Sequence, residues 1–203
     1  MIKAIIFDFG GVLVKDSRPG SRGVLAQRLK ITREDLLDQV FGNELAFPAT
    51  IGRVSEKDMW QHVFSMMQIP SYDQPDFVRD FWGEDELDAK MANLMKSKRP
   101  NFRIGILSNA WSDAREAFVS KYHLDILTDE IIISAEEGLA KPDLRIYRLA
   151  ANRLNIRPDE AIFMDDVLAN VLAAQKVGFK AFQHLNAETS INKIESILSA
   201  DQL

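Results

Sequence analysis

The strongest constraint on this chain is its first stretch, MIKAIIFDFGGVLV over residues 1–14. Ile2, Ala4, Ile5, Ile6 and Phe7 form a nearly unbroken apolar run, the composition of a strand buried on both faces of a parallel sheet. Asp8 ends the run, and Gly10 and Gly11 follow before the chain turns apolar again. A carboxylate beside a buried strand is costly unless something pairs with it. In an open α/β sheet, the carboxyl ends of the strands are also where ligands bind. Asp8 therefore reads either as a cap on the following turn or as a reactive group, and the rest of the chain has to decide. The stretch does not read as a secretory signal, because Asp8 interrupts it and no small-residue cleavage site follows.

A chain of 203 residues holds one large domain, or a core with a smaller insertion. Its net charge of −5 argues against nucleic acid or an anionic membrane as general partners. With no cysteine, disulfides and thiolate metal sites are excluded, which fits a cytoplasmic protein. No apolar stretch reaches the length of a membrane span. Monomer and homodimer remain equally open.

Residues 15–23 (KDSRPGSRG) are polar and glycine-rich and read as a loop. Residues 24–82 then carry helical spacing with no convincing strand. Val24, Leu25 and Leu29 share one face; Thr32 and Ser55 are helix-start signals, and Pro70 and Pro75 end the second of these helices and introduce another. Four short helices are expected here. From residue 84 strands and helices alternate. Strands are expected at 102–107, 130–134, 161–164 and 179–182, and helices at 110–122, after Lys141-Pro142, at 167–177 with Gly178 as C-cap, and at 189–198. Leu87, Met91, Leu94 and Met95 share a helical face, and the acidic run EDELD at 84–88 reads as the first turn of that helix. This alternation implies a doubly wound, parallel, five-stranded α/β sheet of Rossmann-like type. The expected division is a core of residues 1–15 and 84–203, with a helical cap of residues 16–83 inserted after the first strand.

Four polar clusters now share a position. Asp8, Ser108-Asn109 and Asp165-Asp166 end expected strands, and Lys141 opens the helix after another. In a parallel sheet these ends lie on one edge, so the clusters converge. Carboxylates without histidine or cysteine suit a hard cation such as Mg²⁺. Ser, Asn and Lys supply donors and a positive charge for a dianion, and a carboxylate can act as a nucleophile. The set describes phosphoryl transfer, in which catalysis is mostly positioning and charge neutralisation.

The four motifs FDFGGVL, LSNA, KP and FMDD, in this order and each at a strand end, resemble those of the haloacid dehalogenase-like (HAD) hydrolase superfamily over essentially the whole chain. Within it, the double Asp followed by Asn170 and the segment GRVSEKDMW are similar to the sugar-phosphate phosphatases, including those acting on sugar 1-phosphates, and to the phosphatase half of soluble epoxide hydrolases. The resemblance implies Asp8 as nucleophile, and Asp8, Asp166 and the Gly10 carbonyl as ligands of Mg²⁺. It further implies Ser108 and the Asn109 backbone as phosphate binders, and Lys141 as the group that stabilises both nucleophile and phosphoryl group. Asp165 and Asn170 would act behind these residues. The implied activity is a Mg²⁺-dependent phosphatase acting on a small phosphorylated metabolite, a sugar phosphate being favoured.

One position departs from that pattern. Where the superfamily's phosphatases carry a second Asp as general acid and base, this chain has Gly10. A 2-haloacid dehalogenase and a catalytically weak regulatory or binding protein are the rival readings, and the retained Asp165-Asp166 pair favours the phosphatase. His62, His123 and His184 lack ligand spacing and read as surface or packing residues. Trp60, Phe64, Met66 and Met67 read as cap core, and Arg53 as a solvated loop residue. Trp111, beside the second motif, either lines the mouth of the site or is buried against the cap.

Overall fold

A computed structural model of the chain describes residues 1–15, 20–83 and 86–201. The first strand, β1 (Ala4–Phe7), is buried at every position. With β4 (Arg103–Ser108), β5 (Glu130–Ile133), β6 (Ala161–Asp165) and β7 (Lys180–Gln183) it forms a parallel five-stranded sheet of order β5-β4-β1-β6-β7. Strand alternation explains the two apolar layers. Ile5 and Phe7 join Ile104, Ile106, Ile133, Ile162 and Met164 on one face. Ala4 and Ile6 join Leu107, Ile132 and Phe163 on the other. The first face is covered by α6 (Ala89–Lys98), α7 (Ala114–Ser120) and α11 (Ala187–Ala200), the second by α9 (Leu144–Arg153) and α10 (Leu168–Val177). Phe7 stands level with Ile106 of β4 and Met164 of β6, so the ends of these three strands are adjacent.

Residues 20–82 form five helices rather than the four expected: α1 (Gly20–Leu29), α2 (Arg33–Phe41), α3 (Ala46–Thr50), α4 (Glu56–Met66) and α5 (Gln74–Trp82). The two start signals work as read. Thr32 accepts from the Asp35 N–H in a capping box, and Ser55 accepts from the Asp58 N–H. These helices share a core of their own around Leu25, Leu36, Val40, Met59, Trp60, Val63, Phe64, Phe77 and Phe81. Met66, read as cap core, is exposed, as is Val24 of the apolar face of α1.

The helical unit joins the sheet through a two-residue antiparallel ladder, β2 (Val14–Lys15) with β3 (Glu86–Leu87). Lys15 pairs with Asp88 at 2.7 Å, and Asp88 caps α6 by accepting from the Lys90 and Met91 N–H groups. Thus the acidic run does not form a helical first turn. Glu86 and Leu87 are strand, Asp88 is a cap, and Glu84 and Asp85 lie outside the described residues. Of the expected loop at 15–23, Lys15 is strand and residues 20–23 are already helix, while residues 16–19 lie outside the description. Pro142 precedes the Asp143 N-cap of α9 rather than sitting in its first turn, and its peptide bond with Lys141 is cis. A further short helix, α8 (Ser134–Glu137), follows β5 unanticipated.

A second contact closes the helical unit against the sheet. Gly52, after α3, has φ of 70°, and a Cβ there would stand 2.0 Å from the Ala135 carbonyl oxygen in α8. Only glycine satisfies both the backbone angle and this approach. Gly52→Ala is expected to destabilise the protein by about 1–3 kcal/mol, checked by chemical denaturation of the two proteins.

Candidate active site

Asp8 extends β1, its N–H donating to the Met164 carbonyl at 2.9 Å. Its Oδ1 accepts from the Phe9 N–H at 2.7 Å and from Lys141 Nζ at 2.6 Å, so the rotation of the carboxylate is fixed. Lys141 is itself buried, with a side chain 1% exposed. All three of its ammonium hydrogens are engaged: Asp8, the Leu107 carbonyl at 2.8 Å, and Asp165 Oδ2 at 2.7 Å. The lysine therefore joins the ends of β1, β4 and β6.

Asp165, fully buried, accepts four hydrogen bonds. Val167 N–H and Asn170 Nδ2 donate to Oδ1 at 2.8 and 3.0 Å; Lys141 and Asn170 donate to Oδ2 at 2.7 and 3.1 Å. These occupy the lone-pair positions of a carboxylate, so Asp165 holds Lys141 and has little capacity left for an ion. Asn170 is anchored in turn, its carbonyl accepting from the Tyr147 hydroxyl at 2.9 Å. Burial first, then the charges of Asp165 and Asp8, push that hydroxyl far up, which keeps it a donor.

Asp166 leaves the strand and is exposed. Its carboxylate lies over Gly11, where a Cβ would fall 2.3 Å from Oδ2; φ of 76° also requires glycine there. Carboxylate oxygens of Asp8, Asp165 and Asp166 lie within 4.8 Å of one another. Burial, then the charge of Asp165, raises the Asp166 carboxyl above its ordinary value. Asp8 is raised from 3.8 to about 6, by burial first, with Lys141 pulling it down and Asp165 pushing it up. Three carboxylates against one ammonium call for a further cation, and oxygen donors suit Mg²⁺.

Ser108 ends β4, buried, and its hydroxyl makes no hydrogen bond among the described residues. Asn109 spends its side chain on the Lys141 backbone: Oδ1 accepts from the Lys141 N–H and Nδ2 donates to its carbonyl, each at 2.8 Å. Only the Asn109 main chain is left to meet a ligand. The expected site residues thus gather on one sheet edge, and none of the three histidines joins them.

Residues 2–178 match the haloacid dehalogenase-like hydrolases. The chain belongs to that family. It is 28% identical over 183 residues to a sesquiterpene phosphatase of Aspergillus oryzae, covering 87% of this chain and 86% of that one. It is 22% identical over 208 residues to a D-ribitol-5-phosphate phosphatase of Bacteroides thetaiotaomicron, covering 98% of this chain and all of the relative. The fold is similar to that of a HAD family enzyme from the same bacterium, crystallised with magnesium and inorganic phosphate. There the TM-score is 0.74 at 20% identity, over 90% of this chain and 94% of the other.

Three contributors to this HAD site went unread in the sequence. Tyr147 is a polar residue on the apolar face of α9, next to Ile146 and one turn before Ala150 and Ala151. Ser134 follows β5 directly, a strand-end position like that of Ser108, and its hydroxyl bonds both the N–H and the carbonyl of Ala110 at 3.0 and 3.1 Å. Leu107 contributes only its carbonyl, for which side-chain identity gives no signal.

The raised Asp8 carboxyl has a consequence for stability. The folded protein holds that proton up to about 6, the unfolded chain only to about 3.8, so between these values the folded state binds more protons. This contribution to stability is present at low pH and is lost as pH rises through that window. Asp8→Asn, which cannot ionise, is expected to melt several degrees above the wild type at pH 8 in EDTA. Melting curves at pH 4 should show the difference gone.

Proposed function

We propose that this HAD hydrolase is a Mg²⁺-dependent phosphatase acting on a small phosphorylated metabolite, a sugar phosphate being favoured. The observation that carries the reading is the Lys141 bridge between Asp8 and Asp165, with an open Ser108 hydroxyl and a second exposed carboxylate, Asp166, beside it. Two relatives named as phosphatases of small organic molecules support it.

The ligands assigned to Mg²⁺ are Asp8, Asp166 and the Gly10 carbonyl; bound there, the ion would neutralise charge on the phosphoryl oxygens. Phe9 N–H and Lys141 hold the Asp8 carboxylate in one orientation for attack on phosphorus. Attack forms the Asp8 O–P bond as the bond to the leaving oxygen breaks, giving an aspartyl-phosphate. Ser108 and the Asn109 main chain hold the phosphoryl oxygens as charge develops on them, with the positive charge of Lys141 beside them. Water then attacks phosphorus, releasing inorganic phosphate and restoring Asp8. Asp165 and Asn170 keep the lysine in place throughout.

Activity against sugar phosphates, with Mg²⁺ and in EDTA, tests the assignment. Turnover should require Mg²⁺, and Asp166→Asn should raise the Mg²⁺ concentration needed by at least about tenfold, since a full ligand charge is lost. Asp8→Asn should abolish turnover. Metal-independent turnover of a sugar phosphate would overturn the Mg²⁺ assignment, and no turnover of phosphate esters with hydrolysis of a 2-haloacid would overturn the phosphatase reading in favour of dehalogenation.

The choice among esters follows from Gly10. Neither Lys141 nor Asp165 is free to protonate a leaving group, since all donors of the one and all acceptor positions of the other are engaged. A positioned general acid contributes about 10²–10⁴-fold. Leaving groups that are themselves better acids lose less by its absence. Sugar 1-phosphates and aryl phosphates should therefore exceed sugar 6-phosphates in kcat/KM. A Cβ at Gly10 would meet nothing within 4 Å, so Gly10→Asp has room and should narrow the gap. One sugar phosphorylated at C1 and at C6 checks this; equal values would mean that another group donates the proton.

A further inference from the structure

Trp111 belongs by sequence to the segment that carries Ser108 and Asn109, yet its side chain is a member of the helical unit's core. It is 5% exposed, with ring centroids 5.6 Å from Phe41, 5.6 Å from Trp60 and 5.9 Å from Trp82. The residue that follows is tied to the same unit. Ser112 Oγ accepts from the Glu56 N–H at 3.2 Å, and the Glu56 carboxylate accepts from Trp60 Nε1 at 3.1 Å. On its other side the segment is tied to the sheet. Ala110 is clasped by the Ser134 hydroxyl, and Asn109 makes its paired bonds with the Lys141 backbone.

Between the helical unit and the ammonium on Asp8 there is thus one short covalent stretch, residues 109–113, anchored at both ends. We infer that Trp111 is a positioning residue: its seating among the helical unit's aromatics fixes the Asn109 segment, and through the Asn109–Lys141 bonds it fixes the lysine on Asp8. The inference builds on the phosphatase reading for its kinetic consequence but not for its structural one. Buried as it is, the indole offers substrate no surface. It acts through the backbone it holds. An aromatic deeply packed in one unit and three residues from the other unit's phosphate-binding serine couples the two mechanically, because packed interiors transmit displacement rather than absorb it.

Trp111→Ala, Ser112→Ala and Phe64→Ala test the inference in the full-length protein. Phe64 is the control: it lies in the same cluster, 6.0 Å from Trp60, but outside the 109–113 segment. The first readout needs no substrate. Exchange of the Lys141 amide hydrogen, which is held by Asn109 Oδ1, should accelerate at least about tenfold in Trp111→Ala relative to Phe64→Ala. The second is turnover of p-nitrophenyl phosphate with Mg²⁺. There kcat should fall about 10- to 100-fold with KM nearly unchanged, as for a misplaced catalytic group. Trp111→Phe should recover most of it. Ser112→Ala, which removes a solvent-accessible hydrogen bond and keeps the core intact, should move both readouts in the same direction to a smaller extent, so the test survives if Trp111→Ala does not fold. Unchanged Lys141 exchange in the Trp111 and Ser112 variants, or equal acceleration in Phe64→Ala, would overturn the coupling. If wild type fails to hydrolyse phosphate esters while the exchange difference holds, the phosphatase reading falls and the coupling stands.

Discussion

Everything in this site depends on an ammonium group held away from water between two carboxylates. Lys141 is supportable at that depth only because each of its hydrogens has a partner, and each partner is held by something else. Asp165 is fixed by Asn170 and the Val167 N–H, Asn170 by Tyr147, and Asp8 by its own strand and the Phe9 N–H. Taking the lysine from such a set leaves two carboxylates without their counter-ion, at about 3–5 kcal/mol. The sheet makes the arrangement possible. Because β1 lies between β4 and β6, a carbonyl and two carboxylates reach the lysine from three neighbouring strand ends.

The strands β1, β4 and β6 were legible because each is an apolar run closed by a polar residue. Asp8, Ser108 and Asp165 stand out for the reason they are useful: polarity at the end of a buried run needs a partner. The two adjacent aspartates, by contrast, look alike in sequence, and their roles came from family resemblance. In the structure pleating separates them, since Asp165 continues β6 into the interior while Asp166 turns out toward solvent. The elements that escaped notice are the shortest. The ladder of Val14 with Leu87 pairs residues far apart in the chain, and α3 and α8 span five and four residues, too few for a periodicity to register.

Trp111 shows the opposite failure, in which a local pattern is present and tertiary structure overrules it. Residues 110–122 have helical spacing, yet the helix begins only at Ala114. Burying a large aromatic among Phe41, Trp60 and Trp82 is worth more than the few tenths of a kcal/mol per residue that helix propensity offers. Single-sequence reading left mouth and interior open for this residue because both demand an apolar side chain.

Gly10 and Gly11 are neighbours with different reasons to be glycine. Gly11 is dictated by a positive φ and by the Asp166 carboxylate lying against it. Nothing of the kind constrains Gly10: its φ is ordinary, and a side chain would project into open space. A glycine demanded neither by backbone nor by packing leaves open volume close to Asp8 in the chain. In the phosphatase reading proposed above, it also leaves this position without a carboxyl to exchange a proton with the leaving oxygen. Behind it, Lys141 and Asp165 are locked in mutual hydrogen bonds. In that reading the site is built to hold negative charge still, and proton movement falls to the leaving group and to water.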